Sequence, residues 1–171
     1  KFNLIISSIL YAVNSLFFSI LIFILKMIHY FKNEHSIKDF KNKKYQVGIL
    51  SRPVPNESKL FFSKLCSIPF SISGFVNEKN SKKDIHELIK NILRQKIKFC
   101  SFYDKWLNDM SQICKIFCSF QEKDKISFWL GSERGCKRFH VDMVPYRCLV
   151  TYSGQGTELL PDKAADRNAF V

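Results

Sequence analysis

Apolar and polar positions divide this chain into stretches with different periodicities. The segment Leu4–Leu25 is uncharged and largely apolar, broken only by serine and asparagine. A helix of that length rises about 33 Å, enough to cross a hydrocarbon core of roughly 30 Å. We therefore expect a transmembrane helix over residues 4–25 after a short tail at residues 1–3, the alternatives being a buried core helix or sequence outside the true reading frame.

Lysines are concentrated on the C-terminal side of this apolar run. Only Lys1 precedes the run, whereas six lysines follow it within the next twenty residues, namely Lys26, Lys32, Lys38, Lys41, Lys43 and Lys44. By the positive-inside tendency, a chain anchored in the membrane through residues 4–25 keeps its remainder in the cytoplasm. Residues 26–45 then form a basic juxtamembrane linker.

Beyond the linker, residues 46–171 show the alternation expected of a folded domain. Gln46–Leu50 is typical of a short strand, and it is ended by Pro53 and Pro55, which remove backbone donors and hold the chain extended. Asn56 is a candidate N-cap for a short helix. The residues that this helix directs inward are Leu60, Phe61 and Leu65.

Two longer helices follow. The first is predicted over Lys82–Lys96, because Ser81 and Asp84 have capping-box spacing and apolar residues recur at helical intervals. Those residues are Ile85, Leu88, Ile89, Ile92 and Leu93. The opposite face is basic, which favours a solvated outer face over a membrane or partner surface. The second helix is predicted over Tyr103–Phe117.

The C-terminal part of the chain changes to strand-like patterns. Strands are predicted over Ile126–Leu130, Arg138–Val144 and Tyr146–Tyr152, with glycines marking the turns between them. Helices first and strands later indicate an α+β domain, with helices packed on a partial antiparallel β-structure.

The composition of the chain limits the classes of function that it can have. A chain of 171 residues with 46% apolar and 15% aromatic content suits one globular domain after the apolar run. The formal net charge of +12 would permit binding to nucleic acid, but Lys, Asn, Ile and Phe are the products of A/T-rich codons. Nearly all of the excess charge also lies upstream of residue 134, so nucleic acid is not expected as a partner.

The candidate chemistry lies in the stretch Cys136-Lys-Arg-Phe-His140-Val-Asp142. In an extended strand the period of two places Cys136, Arg138, His140 and Asp142 on one side. Imidazole, carboxylate and thiolate are ligands of zinc, and imidazole with carboxylate also suits iron. We therefore expect a divalent metal site formed by His140, Asp142 and Cys136.

The remaining cysteines and histidines add little to this site. The six cysteines contain no Cys-x-x-Cys pair, so neither a disulfide framework nor a zinc finger is expected. Cys114 and Cys118, four residues apart on a helix, are expected to fill core space. His86 is the other imidazole within the folded region, and its spacing does not indicate a ligand.

The sequence after His-x-Asp carries a family resemblance. A strand over Arg147–Tyr152 is followed by Gly154-Gln-Gly-Thr-Glu158 and Pro161. The order resembles the double-stranded β-helix oxygenases, which implies an incomplete fold of that type. More specifically, residues 126–168, and more loosely the chain from about residue 46, resemble the bacterial family called domain of unknown function 1826.

That resemblance implies a downstream histidine segment and a link to zinc-responsive genes. This chain ends at Val171 without a second histidine after His140, and it begins with Lys1 rather than methionine. We therefore expect a fragment that is incomplete at its C-terminus.

Three hypotheses stay open. The first is a metal-binding protein linked to zinc homeostasis. The second is an oxygenase that uses Fe(II) and 2-oxoglutarate and takes a distal histidine, with Arg147 or Thr151 positioning an acidic co-substrate. The third is a structural domain without metal, in which Arg138 and His140 bond to Asp142 and Glu158.

Overall fold

The computed structural model describes the backbone of residues 2–8 and, in addition, residues 28–42, 45–93, 100–133, 138–140 and 142–160. The elements along the chain are β1 (Phe2–Ser8), β2 (Ile28–Tyr30), a 3-10 helix (Glu34–Asn42), β3 (Val47–Arg52), α1 (Ser58–Leu65), β4 (Ser71–Asn77), α2 (Ser81–Ile89), α3 (Ser101–Gln121), β5 (Lys125–Gly131) and β6 (Tyr146–Thr151).

The strands form two separate sheets. The larger sheet has the order β2-β3-β1-β6, with β1 antiparallel to both β3 and β6 and β2 parallel to β3. The smaller sheet pairs β4 with β5 in antiparallel register from Ser71↔Gly131 to Asn77↔Lys125. The α+β class is confirmed, but the described strands do not form a double-stranded β-helix.

The predicted transmembrane helix is wrong at the residues that the structure describes. Leu4 lies in β1, where it pairs with Leu50 of β3 and with Val150 of β6. Within the described part of the chain, no helix is both long enough and apolar enough to cross a membrane. The rest of the predicted span, residues 9–25, lies outside the described residues.

The error has a physical reason. A strand whose two faces are both covered by other elements is apolar at consecutive positions, so a short apolar run does not distinguish a strand from a buried or membrane helix. The expectations of membrane contact and of a cytoplasmic location were derived from that helix, and both remain untested.

The predicted linker at residues 26–45 contains ordered structure. Within it, β2 extends the larger sheet, and the 3-10 helix buries Ile37 and Phe40, which are 0% and 2% exposed. Gly48 of β3 permits this packing, since a Cβ there would lie 2.3 Å from the ring of Phe31. The few apolar residues among many lysines gave no periodic signal.

The core is built around α3, which carries the largest share of buried side chains. Its buried residues are Phe102, Tyr103, Trp106, Leu107, Met110, Ser111, Ile113, Cys114, Phe117, Cys118 and Phe120. α1 contributes Phe61 and Phe62, whose rings lie 5.2 and 5.7 Å from the ring of Trp106. Edge-to-face packing of this kind orients the aromatic rings as well as burying them.

The local details of α1 and α2 differ from the expectation. In α1, Leu60 is 63% exposed rather than inward. In α2, the Ser81 hydroxyl is buried 2.7 Å from the hydroxyl of Ser111, and the Asp84 carboxylate accepts from the backbone N–H of Asn77 at 2.8 Å. The capping-box interpretation is therefore wrong: both side chains hold α2 to neighbouring elements.

The predicted C-terminal strands are confirmed in part. The expected strands over Ile126–Leu130 and Tyr146–Tyr152 correspond to β5 and β6. The strand over Arg138–Val144 is wrong, because residues 138–140 and 142–144 adopt irregular backbone ahead of β6. Without a pairing neighbour among the described residues, the alternation of side chains in this stretch does not produce a strand.

Candidate functional site

The imidazole and the carboxylate of the His-x-Asp motif meet in the structure, although not on a strand. His140 Nε2 lies 3.4 Å from Asp142 Oδ1. The other ring nitrogen, Nδ1, lies 2.9 Å from the backbone carbonyl oxygen of Arg138. A carbonyl only accepts hydrogen bonds, so Nδ1 carries a proton, and the second ring nitrogen, Nε2, faces Asp142.

The guanidinium of Arg147 binds the same Asp142 carboxylate. Arg147 Nη1, on β6, donates to Asp142 Oδ1 at 2.8 Å. The side chains of His140, Asp142 and Arg147 are 49%, 21% and 44% exposed, so water reaches all of them. Arg147 is thus placed against a proposed metal ligand rather than set apart for a co-substrate.

The geometry of the pair is compatible with metal coordination. Two ligand atoms bound at about 2.0–2.1 Å to a tetrahedral ion lie about 3.3 Å from each other. The observed separation of 3.4 Å between His140 Nε2 and Asp142 Oδ1 agrees with that value. The hydrogen bond from Nδ1 to a carbonyl is the second contact that metal-bound histidines usually make.

The other residues of the predicted site are only partly brought together. Cys136 lies outside the described residues, and among those described there is no cluster of three or more potential His, Cys, Asp or Glu ligands. Thr151 is half-buried within β6, opposite Asn3 of β1. Arg138 and Glu158 are exposed, and Arg138 contributes its carbonyl to His140.

A second polar cluster, which the sequence did not reveal, lies inside the protein. Arg52 Nη1 at the end of β3 lies 2.5 Å from Asp109 Oδ1 on α3, and the hydroxyl of Tyr152 donates to Asp109 Oδ2 at 2.5 Å. The Arg52 side chain is only 9% exposed. Its guanidinium also lies 5.9 Å from the centroid of the Tyr152 ring.

The electrostatics of this cluster keep Arg52 charged and Tyr152 neutral. Burial tends to lower the pKa of Arg52, but the hydrogen bond and charge of Asp109 outweigh it and the pKa is raised. Burial, reinforced by the negative charge of Asp109, raises the pKa of Tyr152 well above its ordinary value of 10.0. The arginine is therefore charged and the tyrosine neutral at physiological pH.

Sequence reasoning missed this cluster because its members are far apart in the chain. Arg52 lies in β3, Asp109 lies in α3 and Tyr152 is the residue after β6, and no sequence pattern links the three. One signal was present: Asp109 falls between the buried residues Leu107 and Met110 of α3. A carboxylate next to the apolar face of a helix needs a hydrogen-bonding or oppositely charged partner, because burying an unpaired charge is unfavourable.

The remaining candidate ligands have structural roles. Cys114 and Cys118 are buried free thiols, as expected, and burial raises the pKa of Cys114 to about 12. His86 Nδ1 lies 2.6 Å from the hydroxyl of Tyr103, which fixes α2 to α3. The His86 ring therefore has a structural role at the contact between α2 and α3.

Comparison with known proteins gives one family. A family model described as protein of unknown function (DUF1826) matches residues 32–170. No curated protein and no solved structure matches the chain.

Proposed function

The chain belongs to the DUF1826 family, and from that premise we propose that it is a divalent-metal-binding protein whose ligands include His140 and Asp142. The family's function is unknown, so membership supplies no activity, and the proposal is carried by one geometric observation. His140 Nε2 and Asp142 Oδ1 face each other at 3.4 Å with the ring's other nitrogen already bonded to a carbonyl.

This arrangement favours a cation between the two groups. A neutral imidazole lone pair and a carboxylate oxygen repel each other unless a proton or a metal ion lies between them. A bound divalent ion satisfies both groups at once, and the carbonyl contact at Nδ1 increases the basicity of the ring. The exposed position of His140 gives an ion direct access from water.

Zinc is the ion to test first. Cys136 precedes His140 by four residues and carries the thiolate that would favour zinc over iron, with a sulfur bond of about 2.3 Å. We propose Cys136 as the third ligand, in keeping with the link to zinc homeostasis that the resemblance implies. One further ligand would complete a tetrahedral site and come from water or from another side chain.

Arg147 competes with the proposed metal ion for the Asp142 carboxylate. Its guanidinium donates to the same carboxylate oxygen at 2.8 Å and repels a cation placed beside it. Metal binding therefore requires Arg147 to release Oδ1 or to retain Asp142 through one oxygen while the ion takes the other. Arg147 thus tunes the affinity of the site.

The proposal is tested by titrating the purified, metal-stripped chain with ZnCl₂ in a calorimeter and by measuring bound zinc after gel filtration. We expect one zinc per chain, lost in His140→Ala and in Asp142→Ala. Matched controls are His35→Ala and Asp39→Ala, which remove an exposed histidine and an exposed aspartate of the 3-10 helix. Both controls should bind zinc as the parent does.

The third ligand is tested separately. Cys136→Ser should weaken zinc binding by at least tenfold, whereas Cys66→Ser, which removes an exposed free thiol just after α1, should not. Unchanged zinc stoichiometry in both His140→Ala and Asp142→Ala would overturn the proposal and leave these side chains as parts of a surface ion network.

A further inference from the structure

A cavity of about 540 Å³ lies between the 3-10 helix, the end of β3 and α3, away from the His-x-Asp segment. We propose that it is a binding site for a small organic anion, a carboxylate carried on an apolar body. The proposal does not depend on the metal site, because His140 and Asp142 do not line this cavity.

The first support is a set of buried donors that lack acceptors. Arg52 Nε, Arg52 Nη2 and Trp106 Nε1 are enclosed, and none of them has a hydrogen-bond partner among the described residues. The two side chains are 9% and 1% exposed, respectively, and both line the cavity. A buried donor left without an acceptor is unfavourable, so an acceptor brought in by a ligand stabilises the site.

The second support is the geometry of the arginine. Asp109 takes the Nη1 end of the guanidinium, which leaves the edge formed by Nε and Nη2. The two N–H groups of that edge are parallel, which is the pattern that binds a carboxylate through both of its oxygens, and a ligand in the cavity reaches them by displacing the side chains that enclose them. Because Asp109 and Tyr152 hold the guanidinium in place, the fork is already oriented before a ligand arrives.

The remaining walls favour an organic anion over a bare inorganic one. Leu50, Pro53, Pro55 and Phe102 supply apolar surface, and the cavity volume falls in the range of about 300–1,000 Å³ typical of small-molecule sites. Lys32 and Lys105 line the cavity as well and give the lining a net positive charge, since Arg52 is paired with Asp109. Glu34 and Asp109 are the acidic residues of the lining, and Asp109 is neutralised by Arg52.

The test uses intrinsic fluorescence and calorimetry. The chain has two tryptophans, so Trp129→Phe leaves Trp106, in the wall of the cavity, as the sole tryptophan, which is excited selectively at about 295 nm, a wavelength at which tyrosine absorbs little. Sodium benzoate is the probe, benzamide is its uncharged counterpart of the same shape, and inorganic phosphate provides charge without an apolar body. We expect saturable quenching and measurable heat with benzoate, and at least tenfold weaker binding of the other two.

Variants then locate the binding. Trp106→Phe keeps most of the packing but removes the Nε1 donor, and we expect about a tenfold loss of benzoate affinity by calorimetry. The matched control is Trp129→Phe, which makes the same change at a tryptophan that is 56% exposed and outside the cavity, and it should bind as the parent does. Arg52→Lys retains the charge but removes the fork, and it should also lose about tenfold.

Two results would overturn the proposal. The first is benzamide binding as tightly as benzoate, which would show an apolar cavity without anion recognition. The second is the absence of saturable benzoate binding by the parent chain. If Trp106→Phe does not fold, as judged by circular dichroism, the Arg52→Lys comparison decides: parental affinity in that variant also overturns the proposal.

Discussion

The two polar clusters of this protein contrast in burial and in the origin of their residues. The His140, Asp142 and Arg147 cluster is solvent-accessible, and its members come from one short stretch of sequence. The Arg52, Asp109 and Tyr152 cluster is largely enclosed, and its members come from β3, from α3 and from the residue after β6. The first was visible in the sequence, and the second emerged only from the fold.

The contrast shows what each cluster contributes. Exposed ion pairs stabilise a fold by about 0–1 kcal/mol, because water screens the charges, so the His-x-Asp cluster is free to exchange partners. A buried charge without its partner is strongly destabilising, which makes the Arg52 cluster part of the framework. We therefore expect binding phenotypes from the exposed cluster and stability phenotypes from the buried one.

The largest effect is expected at the tryptophan beside the buried cluster. Trp106→Ala removes a side chain that is 1% exposed and packed against Phe61, Phe62 and Tyr152, so it should lower the free energy of unfolding by about 3–5 kcal/mol. Trp129→Ala, at a largely exposed position, should lower it far less. Urea denaturation followed by circular dichroism measures both, and equal losses would contradict this account of the core.

The second-largest effect is expected at the buried ion pair of Arg52 and Asp109. Asp109→Asn leaves the buried Arg52 without a counter-charge and should destabilise the fold by about 2–4 kcal/mol, near the lower end of the range because Asp109 is 33% exposed. The matched control is Glu122→Gln, which breaks the ion pair with Lys41 at the surface and should leave the urea midpoint unchanged. A small effect of Asp109→Asn would mean that water already compensates Arg52.

The sequence allowed prediction of elements where the pattern was periodic and local. The helical spacing around Ile85 and Trp106 identified α2 and α3, and β5 and β6 lay where apolar and β-branched residues recur between turns. Gly154, at φ +80°, lies in the expected turn after β6. These features depend on residues that are close together in the sequence, so the local sequence pattern is enough to predict them.

What the sequence did not reveal depends on distant partners. β1 resembled a membrane segment because an apolar run does not show that two strands, β3 and β6, flank it. The Arg52–Asp109 pair joins residues on two elements that only the tertiary fold brings together. In the candidate metal site, His140 and Asp142 were predicted to converge and do so, whereas the strand that was expected to hold them is absent from the described residues.

A further difference between the buried and the exposed cluster is expected at alkaline pH, because buried thiols near the Arg52 cluster make the stability of the fold depend on pH in that range. Burial raises the pKa of Cys148 from 9.0 to about 12, and the same holds for Cys114. The folded state keeps these protons between pH 9 and 12 while the unfolded state releases them, so stability is full below pH 9 and falls as pH rises toward 12. Each thiol contributes at most about 1.4 kcal/mol per pH unit.

The measurement is the slope of the unfolding free energy against pH from urea titrations. Cys148→Ala should reduce the slope between pH 9.5 and 10.5 by up to about 1.4 kcal/mol per pH unit relative to the parent. Its overall destabilisation does not matter, since only the slopes are compared. An unchanged slope would mean that Cys148 is accessible to water in the folded state.

The smallest effect on stability is expected at Arg147, and it separates the two interpretations of the exposed cluster. Arg147→Gln removes the guanidinium that occupies Asp142 Oδ1 at 2.8 Å, at a cost in stability of about 0.2–1 kcal/mol. If Asp142 is a metal ligand, removing the competing cation should tighten zinc binding by up to about thirtyfold, because a unit charge and a doubly charged ion about 4 Å apart in water repel by about 2 kcal/mol. If the cluster is only a surface ion network, the variant loses stability and gains no zinc affinity. Zinc titration calorimetry of the parent and of Arg147→Gln distinguishes the cases, with Lys59→Gln as the matched control because it removes an exposed positive charge on α1.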